Sequence, residues 1–316
     1  MKNIDKIPVL AIVGPTATGK TKLAIELAKK FNGEIVCADS MQIYKELNIG
    51  TAKPTKEEMG NIRHHLVDFV SLDETFSVAR YVKLARQCVE QIYINGKLPI
   101  ICGGTGLYVK NLLINNSFID NSLDFKIREE LENRVQNHGI EPLLLELKKI
   151  DPETVNKLHK NDKKRIIRGL EIYYAKRKTL TDQNEISKKI ANIYRSCVIG
   201  LGYKDRSKLY GKIDERVDAM VNSGLLEEAK KVIYGQNIKT AKAAIGYKEF
   251  MPYFIGKISL KQAIEDLKRE TRRYAKRQLT WFRKDDSIFW IYIDECENFR
   301  EVLRKCENYI LESFNI

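Results

Sequence analysis

What this chain lacks narrows its reading before any motif does. Its six cysteines, at 37, 88, 102, 197, 296 and 306, form no CxxC pair and stand at no metal-ligand spacing from a histidine. Zinc-ribbon, finger-type and dithiol redox sites are therefore not indicated. Scattered thiols of this kind are expected to be reduced, mostly buried side chains. Histidine is scarce, with four in the whole chain, and the adjacent His64 and His65 read as structural residues rather than metal ligands. No segment approaches the ~18 consecutive apolar residues of a membrane helix. The apolar stretch ahead of Pro15 is too short for a signal peptide. Internal repeats and low-complexity tracts are absent as well. A soluble, cytoplasmic protein with no membrane partner is the expectation.

Acid is also in deficit: 42 Asp and Glu stand against 55 Lys and Arg, a formal net charge of +13 over 316 residues. The excess is uneven. Lys157 to Lys178 holds nine basic and two acidic residues, and Lys261 to Lys284 holds nine and three, so these windows carry the whole net charge. A protein acting only on a small nucleotide has little use for two such segments. A polyanion has, because each phosphate neutralised releases condensed counterions. Nucleic acid is the partner this pattern favours, with two ordinary solvated helix faces as the plainer reading.

What is present most plainly is a phosphate loop. Gly14-Pro15-Thr16-Ala17-Thr18-Gly19-Lys20-Thr21 spells G-x-x-x-x-G-K-T, after an apolar run from Pro8 to Val13 and before a helical pattern from Lys22 to Phe31. In this context backbone N–H groups converge on phosphate oxygens, and the helix N-terminus adds favourable charge. Lys20 is expected to reach the terminal phosphate and the Thr21 hydroxyl to hold Mg²⁺. The motif does not say which phosphorylated molecule binds; a diphosphate fits as well as the end of ATP.

An apolar fraction of 43% is ample for a core. The first 120 residues alternate strand and helix, with strands expected at Val9–Val13, Glu34–Ala38, His65–Val70 and Leu98–Cys102, and helices at Lys20–Phe31 and Ser77–Ile94. That alternation predicts an α/β fold, a P-loop NTPase-like parallel sheet with flanking helices. Residues 121–190 read as helical throughout, and Ser196–Gly202 returns to strand. A helical insertion, 121–190, within one catalytic core, 1–120 and 191–316, is the expected organisation. The rest is mainly helical, with a further strand at Ile288–Ile293. In Ser259–Lys284, Ile264, Leu267, Thr271, Tyr274 and Trp281 form a stripe that should face the core, leaving the basic residues outward.

The second strand ends in Asp39, which should share a crevice with Lys20 at the carboxyl edge of the sheet. Its carboxylate could hold Mg²⁺ or accept a proton from a nucleophile. The fourth strand ends in Gly103-Gly104-Thr105-Gly106, where a nucleotide-hydrolysing P-loop protein would carry an aspartate. A simple ATPase is thereby disfavoured; a tight turn is the plainer reading of these glycines.

With these residues in place, the chain resembles the bacterial tRNA dimethylallyltransferase family nearly end to end. The matching phrases are G-P-T-A-T-G-K-T at 14–21, A-D-S-M-Q-I-Y at 38–44, G-T-A-K-P at 50–54, G-G-T-G-L-Y at 103–108 and K-R-Q-L-T-W-F-R at 276–283. N-D-K-K-R at 161–165, R-V-D-A-M at 216–220 and A-I-G-Y-K at 244–248 match as well. The resemblance implies transfer of a dimethylallyl group from dimethylallyl diphosphate to the exocyclic amine of the adenine 3′-adjacent to the anticodon. Its partners would be the tRNA anticodon stem-loop and dimethylallyl diphosphate, and its cofactor Mg²⁺; a monomer is expected because no unexplained apolar face remains in the sequence. Gly14 to Thr21 would then hold a diphosphate leaving group, with Lys212 and Arg216 completing the clamp. Family members often carry arginine where Lys212 stands; lysine keeps the charge but loses the bidentate fork. Asp39 would bind the amine and take its proton, Thr105 would contact the tRNA, and Ser40, Met41 and Gln42 would lie by the target base. Arg128, Lys163, Lys164, Arg165, Ile166, Ile167, Lys248, Arg273 and Arg277 would complete the tRNA contacts. The chain carries no C-terminal zinc finger of the eukaryotic kind, as expected of the bacterial form. Three alternatives stand beside this: a P-loop small-molecule kinase, an adenine-nucleotide prenyltransferase and a non-catalytic RNA-binding ATPase.

Overall fold

The computed structural model describes residues 6–114, 125–189, 192–236 and 238–315. Two compact units result, one from residues 1–113 and 193–316, the other from 114–192. The expected boundaries near 120 and 190 lie outside the described residues.

The first unit is built on six parallel strands: β1 Ile7–Val13, β2 Gly33–Cys37, β3 His64–His65, β4 Leu98–Gly103, β5 Tyr194–Gly202 and β6 Phe289–Tyr292. They lie in the order β3-β2-β4-β1-β5-β6. The central strands are continuous apolar runs because helices cover both of their faces. On one face, Leu10, Ile12, Ile35 and Ile100 pack with Leu23 and Leu27 of the P-loop helix and with Val302, Cys306 and Ile310 of the helix Phe299–Phe314. A second cluster joins Ile43, Tyr44 and Leu47 to Leu225, Val232, Tyr247, Phe250 and Leu267. In register, Val13 lies beside Gly103 and Gly200, and Cys37 beside Cys102. This alignment brings the loops that follow β1, β2 and β4 to one edge.

The expected strand His65–Val70 is shorter than the apolar pattern suggests. Leu66 and Asp68 adopt positive φ, 58° and 57°, which breaks pairing after His65, and Val70 makes only an isolated bridge to Tyr44. His65 Nε2 meets Glu34 at 2.6 Å, which fits a structural residue; His64 Nδ1 meets the Ile62 carbonyl at 2.9 Å, and His64 also lines the cavity described below. All six cysteines are free; four are buried and Cys88 and Cys296 partly so. No helix among the described residues is long and apolar enough to cross a membrane.

The second unit is helical. Phe125–His138, Glu141–Ile150 and Lys163–Lys176 surround a core of Leu131, Leu143, Leu147, Ile166, Ile167 and Leu170. Asp162 caps the last of these helices by accepting the Arg165 N–H, and Arg177 ends it in the left-handed conformation.

Candidate active site

The loop after β1 owes its shape to close packing. Gly14 has φ 137°, and a Cβ there would come within 2.3 Å of the Leu201 carbonyl oxygen on β5. Ala17 and Gly19 are also left-handed, with φ of 64° and 73°, and the helix Lys20–Lys30 follows at once. Alternation of this kind turns successive backbone amides toward one centre. The Thr18 hydroxyl and the Lys20 ammonium both donate to the Pro15 carbonyl.

Above this loop opens a cavity of about 850 Å³, lined by Thr16 to Thr21, Asp39 to Gln42, Gly103, Gly104, Arg216, Lys248, Tyr274, Arg277 and Gln278. Its lining therefore draws together most of the residues singled out in the sequence. Gly14 and Pro15 back the loop without lining the cavity, and Thr105 lies just behind it. Thr105 Oγ1 accepts the Ser40 N–H at 3.0 Å, and its own N–H donates to the Ala38 carbonyl at 3.1 Å. Asp39 Oδ1 accepts from the N–H groups of Met41 and Gln42, at 2.8 and 3.3 Å, which fixes the turn. No hydrogen bond engages the other oxygen among the described residues, and Asp39 lines the cavity.

The charges here are tuned by burial. Loss of water pulls Lys20 down from 10.5 to about 8, with Arg216 acting in the same direction and Cys102 and Asp39 opposing. Burial also lowers the Arg216 guanidinium, against the pull of Asp39 and Glu58, though arginine stays charged. Burial and the Asp39 carboxylate push the Tyr274 phenol up, so it remains protonated. The Cys102 thiol is pushed up to about 12, again chiefly by burial.

Other expected residues are placed elsewhere. Lys212 lies outside the cavity lining and pairs with Glu215 at 2.7 Å. Arg273 is exposed and pairs with Glu270 at 2.6 Å. In the second unit Arg128 pairs with Glu132 at 3.0 Å. Lys163, Lys164 and Arg165 are exposed there, whereas Ile166 and Ile167 are 0% and 2% exposed. The two isoleucines fix the helix in its own core, so their side chains cannot meet an external RNA.

Two residues escaped the sequence reading. Gln278 reaches from the helix Leu260–Phe282 to both the P-loop and the end of β4. A polar residue one turn from Tyr274 on an otherwise apolar stripe was the available signal. Glu228 accepts from the N–H groups of Asn48, Ile49 and Gly50 and from the Tyr247 hydroxyl, bracing the loop that carries Gly50 to Pro54. No sequence pattern marks it. The stripe itself is rotated from expectation: Leu267, Thr271, Tyr274 and Gln278 face the cavity, and Trp281 is 38% exposed.

For a metal ion, the described residues hold no group of three or more His, Cys, Asp or Glu. Thr21 and Asp39 line the cavity as isolated oxygen donors. That donor set suits an ion held largely by its phosphate ligand and by water, as Mg²⁺ is.

Comparison with known proteins bears on this geometry. The family model for IPP transferase matches residues 42–285. The chain is 47% identical over 310 residues to a tRNA dimethylallyltransferase of Acetivibrio thermocellus, covering 98% of each. It is 47% identical over 292 residues to one from Bacillus velezensis, covering 92% of each. Among solved structures, the full-length tRNA isopentenylpyrophosphate transferase of Bacillus halodurans is similar at TM-score 0.73 and 41% identity, covering 98% of this chain and 97% of that one. A eukaryotic dimethylallyltransferase acting on tRNA is similar at TM-score 0.81 and 31% identity, covering 96% of this chain and 79% of that one.

Proposed function

The chain belongs to the IPP transferase family, and on that premise we propose how this tRNA dimethylallyltransferase fold does its work. The donor is dimethylallyl diphosphate, and the acceptor is the exocyclic amine of the adenine 3′-adjacent to the anticodon. The observation that carries this reading is the single cavity shared by the P-loop, Asp39 and Arg216. It offers a cradle for a leaving diphosphate and, in Asp39, a carboxylate for a proton.

The amine nitrogen attacks the allylic carbon as the carbon–oxygen bond to diphosphate breaks. Negative charge grows on the leaving group, and Lys20, Arg216 and the P-loop amides face it. The amine is a weak nucleophile, so Asp39 holds it in line and takes the proton it must lose. Thr21 would hold Mg²⁺ together with the diphosphate, and the ion would supply further charge neutralisation there. Water is a competing acceptor, and Tyr274 and Met41 line the space in which the bound adenine would displace it. Lys163, Lys164 and Arg165 on the second unit, with Lys248 and Arg277 on the first, contact tRNA phosphates. The enzyme acts as a cytoplasmic monomer. Lys212, outside the cavity lining and paired with Glu215, is a secondary member of the clamp beside Lys20 and Arg216.

The test is transfer of labelled dimethylallyl diphosphate, with Mg²⁺, to unmodified tRNA, beside AMP and a no-acceptor control. Label at the adenine next to the anticodon, and none in AMP, is expected. Label in AMP alone would make the chain a nucleotide prenyltransferase. No label in either, with ATP consumed, would put a kinase in its place.

A further inference from the structure

We infer that Gln278 is a positioning residue of the transfer reaction, one that clamps the phosphate loop to the end of β4 and so sets the cradle's distance from the Asp39 turn. The inference rests on the transferase reading above. Gln278 is 6% exposed, near the C-terminal end of the helix Leu260–Phe282 and one turn beyond Tyr274 on its cavity-facing side. Both halves of its carboxamide are engaged. Oε1 accepts the Thr16 N–H at 2.9 Å, and Nε2 donates to the Gly104 carbonyl at 3.0 Å. A flipped amide would set donor against donor and acceptor against acceptor, so the partners dictate the orientation.

The clamp is built from both sides. A Cβ on Gly104 would lie 2.1 Å from Nε2, so only glycine lets the carboxamide arrive. The next residue, Thr105, carries the link onward, because its hydroxyl accepts the Ser40 N–H beside Asp39. Gly104 and Thr105 are thus pinned to the P-loop through Gln278 and to the Asp39 turn through Ser40. The leaving group is held at one end of that chain of hydrogen bonds and the nucleophile at the other. Gln278 lines the cavity, but its polar atoms are taken up by the Thr16 and Gly104 backbone and by the Tyr274 phenol, which makes it a positioning residue and not a catalytic one. A leucine would fill the same space at less desolvation cost, and the polar choice is explained by the geometry it enforces.

Three variants test this. Gln278→Met keeps the volume and loses both bonds; Gln278→Glu keeps the Thr16 acceptor but cannot donate to Gly104; Gly104→Ala disturbs the same hydrogen bond from the partner side. Single-turnover transfer from dimethylallyl diphosphate to unmodified tRNA, tRNA affinity and thermal unfolding are measured for each and for the wild type. Transfer should fall roughly 10- to 100-fold in all three, since misplacements of about 1 Å have effects of that order. tRNA affinity should stay within about twofold. Gly104→Ala combined with Gln278→Met should be little worse than either alone, because both break the same hydrogen bond. If Gln278→Met does not fold, the other two decide. Wild-type transfer rates in folded variants would overturn the inference, as would losses of transfer and tRNA binding in equal proportion. A wild type without transfer would instead sink the transferase reading, and this inference with it.

Discussion

Two helices carry more than half of the chain's net positive charge, and they use it differently. In Leu260–Phe282, Lys268 pairs with Asp218, Arg269 with Asp266, Arg272 with Asp214 and Arg273 with Glu270, at 2.6 to 2.8 Å. Two of those carboxylates belong to Arg206–Asn222, the helix that bears Arg216. Lys261, Lys276 and Arg277 of this helix have no carboxylate partner among the described residues. In Lys163–Lys176, Arg168 pairs with Glu171 at 3.1 Å and Arg165 has Asp162 at 3.3 Å, but Lys163 and Lys164 are exposed without such a partner. The windows differ by a single formal charge. The first uses Lys268 and Arg272 to tie the cavity wall to its neighbouring helix; the second leaves Lys163 and Lys164 facing water, where a phosphate can take their charge. Formal charge in a sequence therefore sets an upper bound on what a nucleic acid can meet, and the local carboxylates decide how much remains.

The sharpest test of this contrast lies in the cavity that the first helix walls. Asp39→Ala should lower kcat about 10³-fold while tRNA affinity hardly changes; comparable losses in both would count against a base role. Lys20→Ala should lower kcat/KM for the donor about 10²- to 10³-fold, as the loss of one charge-stabilising donor does. Lys20 also predicts a pH profile. On the proposed reading its ammonium meets the diphosphate, and burial has lowered its proton affinity to about 8. Capture of donor by the free enzyme should be full below that pH and fall as pH rises through it. A kcat/KM profile that stays flat to pH 10 would remove Lys20 from the clamp.

Much of this was legible in advance, and the exceptions share a cause. Continuous apolar runs give β1, β2, β4 and β5 to within a residue or two, and the P-loop is a local motif. The parallel sheet then follows from alternation alone. What local reading missed depends on packing between distant segments. Gly103, Gly104 and Gly106 suggest a turn, yet a Cβ at each would strike Ala38, Gln278 and Trp281. The glycines answer to those neighbours. Ile166 and Ile167 follow three basic residues and so look like part of an RNA surface, but helical geometry turns them into the insertion's core. Gln278 looks like one more polar residue on a charged helix until its partners, 262 and 174 positions away, are known.

The outward-facing helix predicts effects of a second size. Neutralising Lys163, Lys164 and Arg165 together should weaken tRNA binding about 10- to 100-fold near 0.1 M salt and reduce the salt slope by about one unit for each phosphate no longer neutralised. Thermal stability should barely move, since none of the three is buried. An unchanged slope would take this helix out of the interface. Arg272→Ala should reverse the pattern. Its guanidinium meets both oxygens of Asp214, at 2.6 and 2.8 Å, on a half-buried surface. Its loss should destabilise by about 1 kcal/mol, a few degrees in Tm, with a small effect on the salt slope.

Arg273 offers the finest discrimination. It is as exposed as Arg165, 61% against 64%, and both have a carboxylate three residues away on the same chain. The difference is distance: 2.6 Å to Glu270 against 3.3 Å to Asp162. If a close partner withholds charge from RNA, Arg273→Gln should change the salt slope by less than about half a unit. Arg165→Gln should change it by nearly a full one. Both exposed pairs should contribute under about 0.5 kcal/mol to stability, so folding cannot account for the difference. Glu270→Gln then completes the argument. Freeing Arg273 should strengthen tRNA binding slightly and steepen its salt dependence, provided the RNA passes within a Debye length, about 10 Å at 0.1 M. If Arg273→Gln and Arg165→Gln prove equal, the local carboxylate does not set availability, and the contrast between the two helices must rest on their distance from the RNA instead.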